Sequence, residues 1–175
     1  MSSDKKLVRR AKKGDGEAFV LLVKEQEQRL YNIAYKILGN QQDCGDVLQD
    51  TLLKAYVQIT TLKNDTYFHT WLCRILINEC KNLLEKKKRF VVADMETFDQ
   101  ENSILTSKKG ESEWLREYVT KNLSSIYRIP LILYYYSGFS IKEISEILNE
   151  PVGTIKSKLA RGKALLKQKL MEDEE

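Results

Sequence analysis

The chain has 175 residues, enough for one ordinary domain or two small ones. At 42% hydrophobic and 31% charged, with 2 prolines and 8 glycines, it is neither collagen-like nor of low complexity. The 29 Lys and Arg against 25 Asp and Glu leave a net charge of +4, so the distribution of charge carries more than its total. No apolar run approaches the roughly 18 residues that cross a bilayer; the longest, Ile129 to Tyr136, is short and contains Pro130. The start, Met1 to Lys6, has no apolar stretch behind it, so neither a signal peptide nor direct membrane insertion is expected. Cys44, Cys73 and Cys80 are an odd number at no framework spacing and read as reduced thiols of a cytoplasmic protein.

Strand alternation and hairpin turns are absent, so an all-α fold is expected throughout. The first clear helix starts near Asp15, whose carboxylate suits an N-cap. Phe19, Leu22, Val23, Leu30, Ile33, Ala34 and Ile37 follow at helical spacing, and Gly39 sits where a left-handed C-cap is wanted. A second helix over about 41–62 carries Val47, Leu48, Leu52, Ala55, Tyr56 and Ile59 on one face, and Asp43, Asp46 and Asp50 with Gln49 on another. A third, over about 66–89, has the stripe Phe68, Trp71, Leu72, Ile75, Leu76, Cys80 and Leu83, and ends in Lys86 to Arg89, which suits a helix C-terminus. From Val91 to Glu113 the periodicity fades and acids outnumber bases, which reads as a flexible linker. Two small helical domains are therefore expected: 1–92, and 113–175 after a linker at 93–112.

The second domain opens with a helix carrying Trp114, Leu115, Tyr118 and Val119. Ser124 or Ser125 caps the next, in which Pro130 calls for a kink or a late start. Ser140-Ile141-Lys142-Glu143 is a capping box. The short helix it opens turns Ile141, Ile144 and Leu148 inward, and Ser145 is small enough for a close crossing. Asn149-Glu150-Pro151 makes a turn in which Asn tolerates the left-handed conformation. A longer helix then buries Val152, Ile155 and Leu159 and presents Thr154, Lys156, Ser157, Lys158 and Arg161. Between Pro151 and Leu170 stand six bases and no acid. Capping box, small residue, turn and one-sided charge together form a helix-turn-helix, whose second helix enters the major groove and whose charge attracts phosphate.

Several segments in order carry a family resemblance: Gly14 to Phe19; Asp46 to Tyr56; Phe68 to Asn78; and Pro151 to Leu159. Over about residues 7–170 the chain resembles the extracytoplasmic-function (ECF) sigma factors, the smallest members of the bacterial sigma-70 family. The resemblance implies a transcription initiation factor without catalytic activity or cofactor. Its first domain would bind the −10 promoter element as separated strands, and its second would bind the −35 element as duplex. The implied partners are promoter DNA, core RNA polymerase (the β′ clamp helices and β flap), and an anti-sigma factor, which in this family can be membrane-bound.

By this resemblance Asp43, Asp46, Gln49 and Asp50 face the polymerase, an acidic stripe that steers toward a basic partner and away from DNA. Leu62, Lys63, Asn64, Asp65, Phe68, His69, Arg74 and Asn78 match the −10 site, where an unstacked base needs stacking walls and polar edges. Phe68 also fits a plain core role, and Trp71 reads mostly as core. Thr154, Lys156, Ser157, Lys158 and Arg161 match the −35 face, Arg161 being suited to a bidentate guanine contact. Lys158 stands where Arg is frequent, Asn149 where Gly is common, and Leu123-Ser124 where Leu-Pro is usual. Two other readings compete: an autonomous helix-turn-helix regulator, and a metal or thiol sensor built on His69, Cys73 and Cys80. The latter set lacks the fourth ligand of a structural zinc, and buried, apolar cysteines fit better.

Overall fold

The structure is a computed structural model that describes residues 3–93 and 118–173. Every regular element among the described residues is helical: α1 (Ser3–Lys12), α2 (Gly16–Leu38), α3 (Gln41–Gln58), α4 (Phe68–Ala93), α5 (Ser125–Leu131), α6 (Ile141–Leu148) and α7 (Val152–Asp173). Short 3-10 turns at Ile59–Thr61 and Asp65–Tyr67 link α3 to α4, a π turn at Ile132–Tyr136 follows α5, and residues 118–122 are also helical. The expected linker beyond residue 93, with Trp114 and Leu115, lies outside the described residues.

The first unit is built on α2 and α4. All seven apolar positions expected on α2 are buried, as are Leu72, Ile75, Leu76 and Cys80 of α4. Each Leu or Ile buried in this way stabilises by about 1.5–3 kcal/mol. Asp15 accepts from the Ala18 N–H at 3.0 Å and Gly39 closes the helix at φ 83°, so both caps of α2 are as expected. Its α1 was not expected, because only Leu7, Val8 and Ala11 interrupt a run of bases there. Val8 and Ala11, one turn apart, are nevertheless buried in the shared core. Three further readings are corrected. Tyr56 points outward, its ring meeting Phe19 edge-on at 5.2 Å. The second helix stops at Gln58. The third continues past Arg89 to Ala93.

In the second unit the capping box is complete: Glu143 N–H donates to Ser140 Oγ, and Ser140 N–H to Glu143 Oε2. Asn149 takes the left-handed conformation at φ 53°, and Ser145 Oγ donates to the Glu150 carbonyl across the turn. A further close helix crossing lies at Gly162. At Gly162 of α7 a Cβ would stand 2.9 Å from Leu131 Cδ1 and 3.2 Å from Tyr127 Cβ, so the absent side chain lets α7 lie on α5. Ser124 occupies the N-cap of α5 but makes no capping bond with its side chain. Val152 is 41% exposed rather than buried, whereas Ile155 and Leu159 are buried as expected. Pro130 sits inside α5, and the chain beyond it widens into the π turn, where Ser137 N–H donates to the Ile132 carbonyl.

The two units pack on one another, α4 against α6 and α2 against α5 and the π turn. Three arginines cross between them to backbone carbonyls. Arg29 donates to Ser137 O at 2.9 Å, Arg74 to Glu146 O, and the buried Arg128 to Ile37 O at 3.2 Å. Arg29 also lies over the Phe139 ring at 4.3 Å, a cation–π contact.

Candidate nucleic-acid interface

The second helix of the helix-turn-helix, α7, is held by Ile155 and Leu159 inside and by the capping box and Asn149 turn before it. That leaves Thr154, Lys156, Ser157 and Arg161 exposed along one side. Lys158 differs from them. It is half-buried and paired with Glu150 at 2.6 Å, so its charge is engaged within the turn.

The segment between α3 and α4 forms the second candidate surface. Leu62 anchors it with a buried side chain, and Asn64 Oδ1 accepts from the Thr66 N–H at 3.0 Å. Beside it lies an open recess of about 470 Å³, lined by Thr61 to Asn64, Tyr67, Thr70, Trp71 and Arg74, with Glu146 of α6 at one edge. Its volume falls in the range of small-ligand sites. It offers aromatic walls in Tyr67 and Trp71, amide groups in Asn64 and cations in Lys63 and Arg74. Thr70, at the recess floor, is buried, and its Oγ1 has no partner among the described residues. Sequence reasoning missed Thr70, since a threonine within an apolar stripe gives no signal of facing a recess.

Not every expected residue joins this recess. Phe68 is buried in the core, which resolves its double reading. Asp65 is half-buried and held by Lys12 at 2.6 Å and Arg9 at 3.2 Å. The Lys12 bond holds its carboxyl below the ordinary carboxylate range against the opposing effect of burial. His69 faces the second unit, stacked on Phe139 at 6.4 Å and 3.9 Å from Glu143. Arg74 lines the recess while donating to the Glu146 carbonyl. Asn78 is exposed on α4 beyond the recess.

On α3, Asp46, Gln49 and Asp50 are exposed, and Leu53 and Val57 extend that face at 64% and 69% exposure. Asp43 is drawn away from it. Burial alone would raise its pKa, but hydrogen bonds from Lys87 and Asn40 overcome this and hold it below the ordinary value. Cys44, Cys73 and Cys80 are buried and form no disulfide with one another. Burial pushes the Cys73 thiol up to about 12, and raises Cys80 as well, with Cys44 and Cys73 adding to the effect. Thiols so placed are poor nucleophiles and ligands, and no group of metal-ligating side chains occurs among the described residues. No described helix is long and apolar enough to cross a membrane.

Known proteins share this fold. Residues 22–90 match the sigma-70 region 2 family, and residues 119–166 match sigma-70 region 4. The chain is 33% identical to the ECF RNA polymerase sigma factor SigW of Bacillus subtilis, over 95% of this chain and 96% of that one. It is 30% identical to the ECF RNA polymerase sigma-E factor of Escherichia coli K12, over 96% and 94%. Among solved structures it resembles CnrH in complex with the cytosolic domain of CnrY, with a TM-score of 0.74 at 22% identity over 98% and 99% of the chains. It also resembles RpoE of Bartonella quintana in complex with the anti-sigma factor NepR, with a TM-score of 0.72 at 26% identity over 87% and 96%. The chain belongs to the ECF sigma factors of the sigma-70 family, which direct RNA polymerase to promoters.

Proposed function

We propose that residues 1–92 form the domain that engages core polymerase and the separated −10 strand, that 93–112 link it to the rest, and that 113–175 read the −35 duplex. The observation that carries this reading is the recess between α3 and α4. Its aromatic walls, amide and cations suit one unstacked base and its edge, and an autonomous duplex binder has no use for it. Contacts made only to an unpaired base stabilise the melted promoter over the duplex, so strand opening is driven by binding and no catalytic group is required.

Lys63, Asn64 and Arg74 are assigned to DNA at the recess, and His69 and Asn78 to its flanks. Asp65, Leu62 and Phe68 support the site from within. On α7, Thr154, Lys156, Ser157 and Arg161 face the −35 groove, with Arg161 as the base reader. Asp46, Gln49 and Asp50 face the β′ clamp helices, helped by the apolar Leu53 and Val57, and the second domain meets the β flap. We further infer an anti-sigma partner, on the likeness to RpoE solved with NepR, and a cytoplasmic location, where polymerase works.

Permanganate probing of unpaired thymines tests this reading. Core polymerase plus the chain, on a promoter fragment, is expected to expose a short reactive patch near −10. Loss of Tyr67 and Trp71 together should abolish the patch while core binding survives. A patch that persists in the double variant would remove the recess from strand opening.

A further inference from the structure

The helix that sequence reasoning passed over, α1, reaches the reading segment. Lys12 Nζ donates to the Leu62 carbonyl at 2.5 Å and to Asp65 Oδ1 at 2.6 Å. One ammonium thus joins the two ends of the 62–65 stretch, the part that carries Lys63 and Asn64 into the recess. Arg9 Nε donates to the other Asp65 oxygen at 3.2 Å. Lys12 and Asp65 are both half-buried, with side chains 23% and 17% exposed, so the contact is partly sheltered from the screening that weakens surface pairs. The residues around it are set as well. Leu62 is fixed by its buried side chain, Asn64 caps the 3-10 turn that follows, and α1 is itself anchored on α2 by Val8 and Ala11.

We propose that α1 is a brace that pre-sets the −10 reading segment, with Lys12 as a positioning residue and Asp65 as its anchor. This rests on the −10 reading given above and deepens it. It assigns Asp65 to the frame of the site, since both carboxylate oxygens are occupied by α1, and it gives a basic helix a task other than phosphate binding. A segment of this length left unbraced must be ordered when DNA arrives, which weakens binding. A braced segment meets the strand already formed, and that favours the matched base over others.

The test uses the full chain with core polymerase. The probes are fluorescent single-stranded oligonucleotides: the −10 sequence selected by the wild-type holoenzyme, and the same sequence with one base changed. Lys12→Met keeps the side-chain stem and removes the ammonium. The expected result is a ten- to hundredfold loss of preference for the matched oligonucleotide, with core affinity and duplex −35 binding unchanged. The salt dependence of binding should keep its slope, because Lys12 touches no phosphate. Lys12→Arg should restore most of the preference, and so should the exchange Lys12→Asp with Asp65→Lys. Amide exchange at residues 63–67 in the free chain should quicken at least tenfold in Lys12→Met. A slope smaller by about one, with affinity lost equally on both oligonucleotides, would overturn the proposal by making Lys12 a phosphate contact. Unchanged amide exchange would overturn it independently of DNA. If amide exchange quickened as expected but the wild type discriminated among no oligonucleotides, the brace would stand and the −10 assignment would fall.

Discussion

Replacing Arg128 by methionine keeps most of a long, buried stem and removes a cation that three carbonyls share. Arg128 is 6% exposed. Its Nη1 donates to Thr120 O at 3.0 Å and Leu123 O at 2.8 Å, and its Nη2 to Ile37 O at 3.2 Å, across to the end of α2. Its Nε has no partner among the described residues, and burial pulls its pKa down. A carbonyl left dry costs about 1–3 kcal/mol, so three cost about 3–9 kcal/mol. Removing a buried cation returns several kcal/mol of desolvation. The balance predicts a net loss of about 2–3 kcal/mol, a quarter or more of what residues 118–173 hold at about 0.05–0.15 kcal/mol each. Urea unfolding should show the transition of the second unit falling by about 2 M at an m of about 1 kcal/mol/M. Because one of the three bonds ends on α2, amide protection near Ile37 should fall with it. A shift under about 0.5 kcal/mol, within the range of an ordinary surface substitution, or a gain in stability, would refute this reasoning. Either would make the guanidinium a burden that the fold tolerates.

At Gly162, alanine should gain about 1 kcal/mol of helix propensity but meet Leu131 and Tyr127 inside normal contact. A net loss of about 1–2 kcal/mol is expected in thermal unfolding, and a stabilised variant would mean that the α5–α7 crossing yields easily. Arg161→Ala should weaken −35 duplex binding by about 1–3 kcal/mol and flatten base preference at one position, whereas Lys156→Ala should weaken all sequences alike, as read by binding to a duplex library. Acid should destabilise the chain in a defined window. The Ala18 N–H on Asp15, the Lys12 ammonium on Asp65 and the Ser140 N–H on Glu143 each hold a carboxyl below its ordinary value. Their contribution is complete above the unfolded values near 4 and is lost as pH falls through the lower folded ones. The urea midpoint should therefore be flat between pH 7 and about 5 and drop below about 4.

What could be read ahead of the structure was local. Both ends of α2 follow from Asp15 and Gly39 with the apolar spacing between them, and the helix-turn-helix follows from Ser140, Glu143 and Asn149, because caps and turns join residues a few positions apart. What escaped depends on partners far along the chain. Asp65 resembles a base acceptor until Lys12, 53 positions away, is seen to hold it. Asp43 resembles the rest of its acidic stripe until Lys87, 44 positions away, claims it. The role of α1 was hidden because so few apolar residues mark it. Tyr56 and Val152 fit the apolar period but lie at the edge of their stripes, where spacing alone does not decide burial. The arginine contacts between the two units had no signal in sequence, since their acceptors are backbone carbonyls that every residue has.

Transcription from a fragment library of the source genome, with core polymerase alone and with core plus the chain, tests the central claim most directly. Sequencing of transcript 5′ ends should show a small set of discrete starts that appear only with the chain and share upstream elements near −10 and −35. Arg161→Ala should shift the −35 element and Asp50→Lys should abolish the set through loss of core binding. Starts identical to those of core alone, with no binding of the chain to core, would contradict the account.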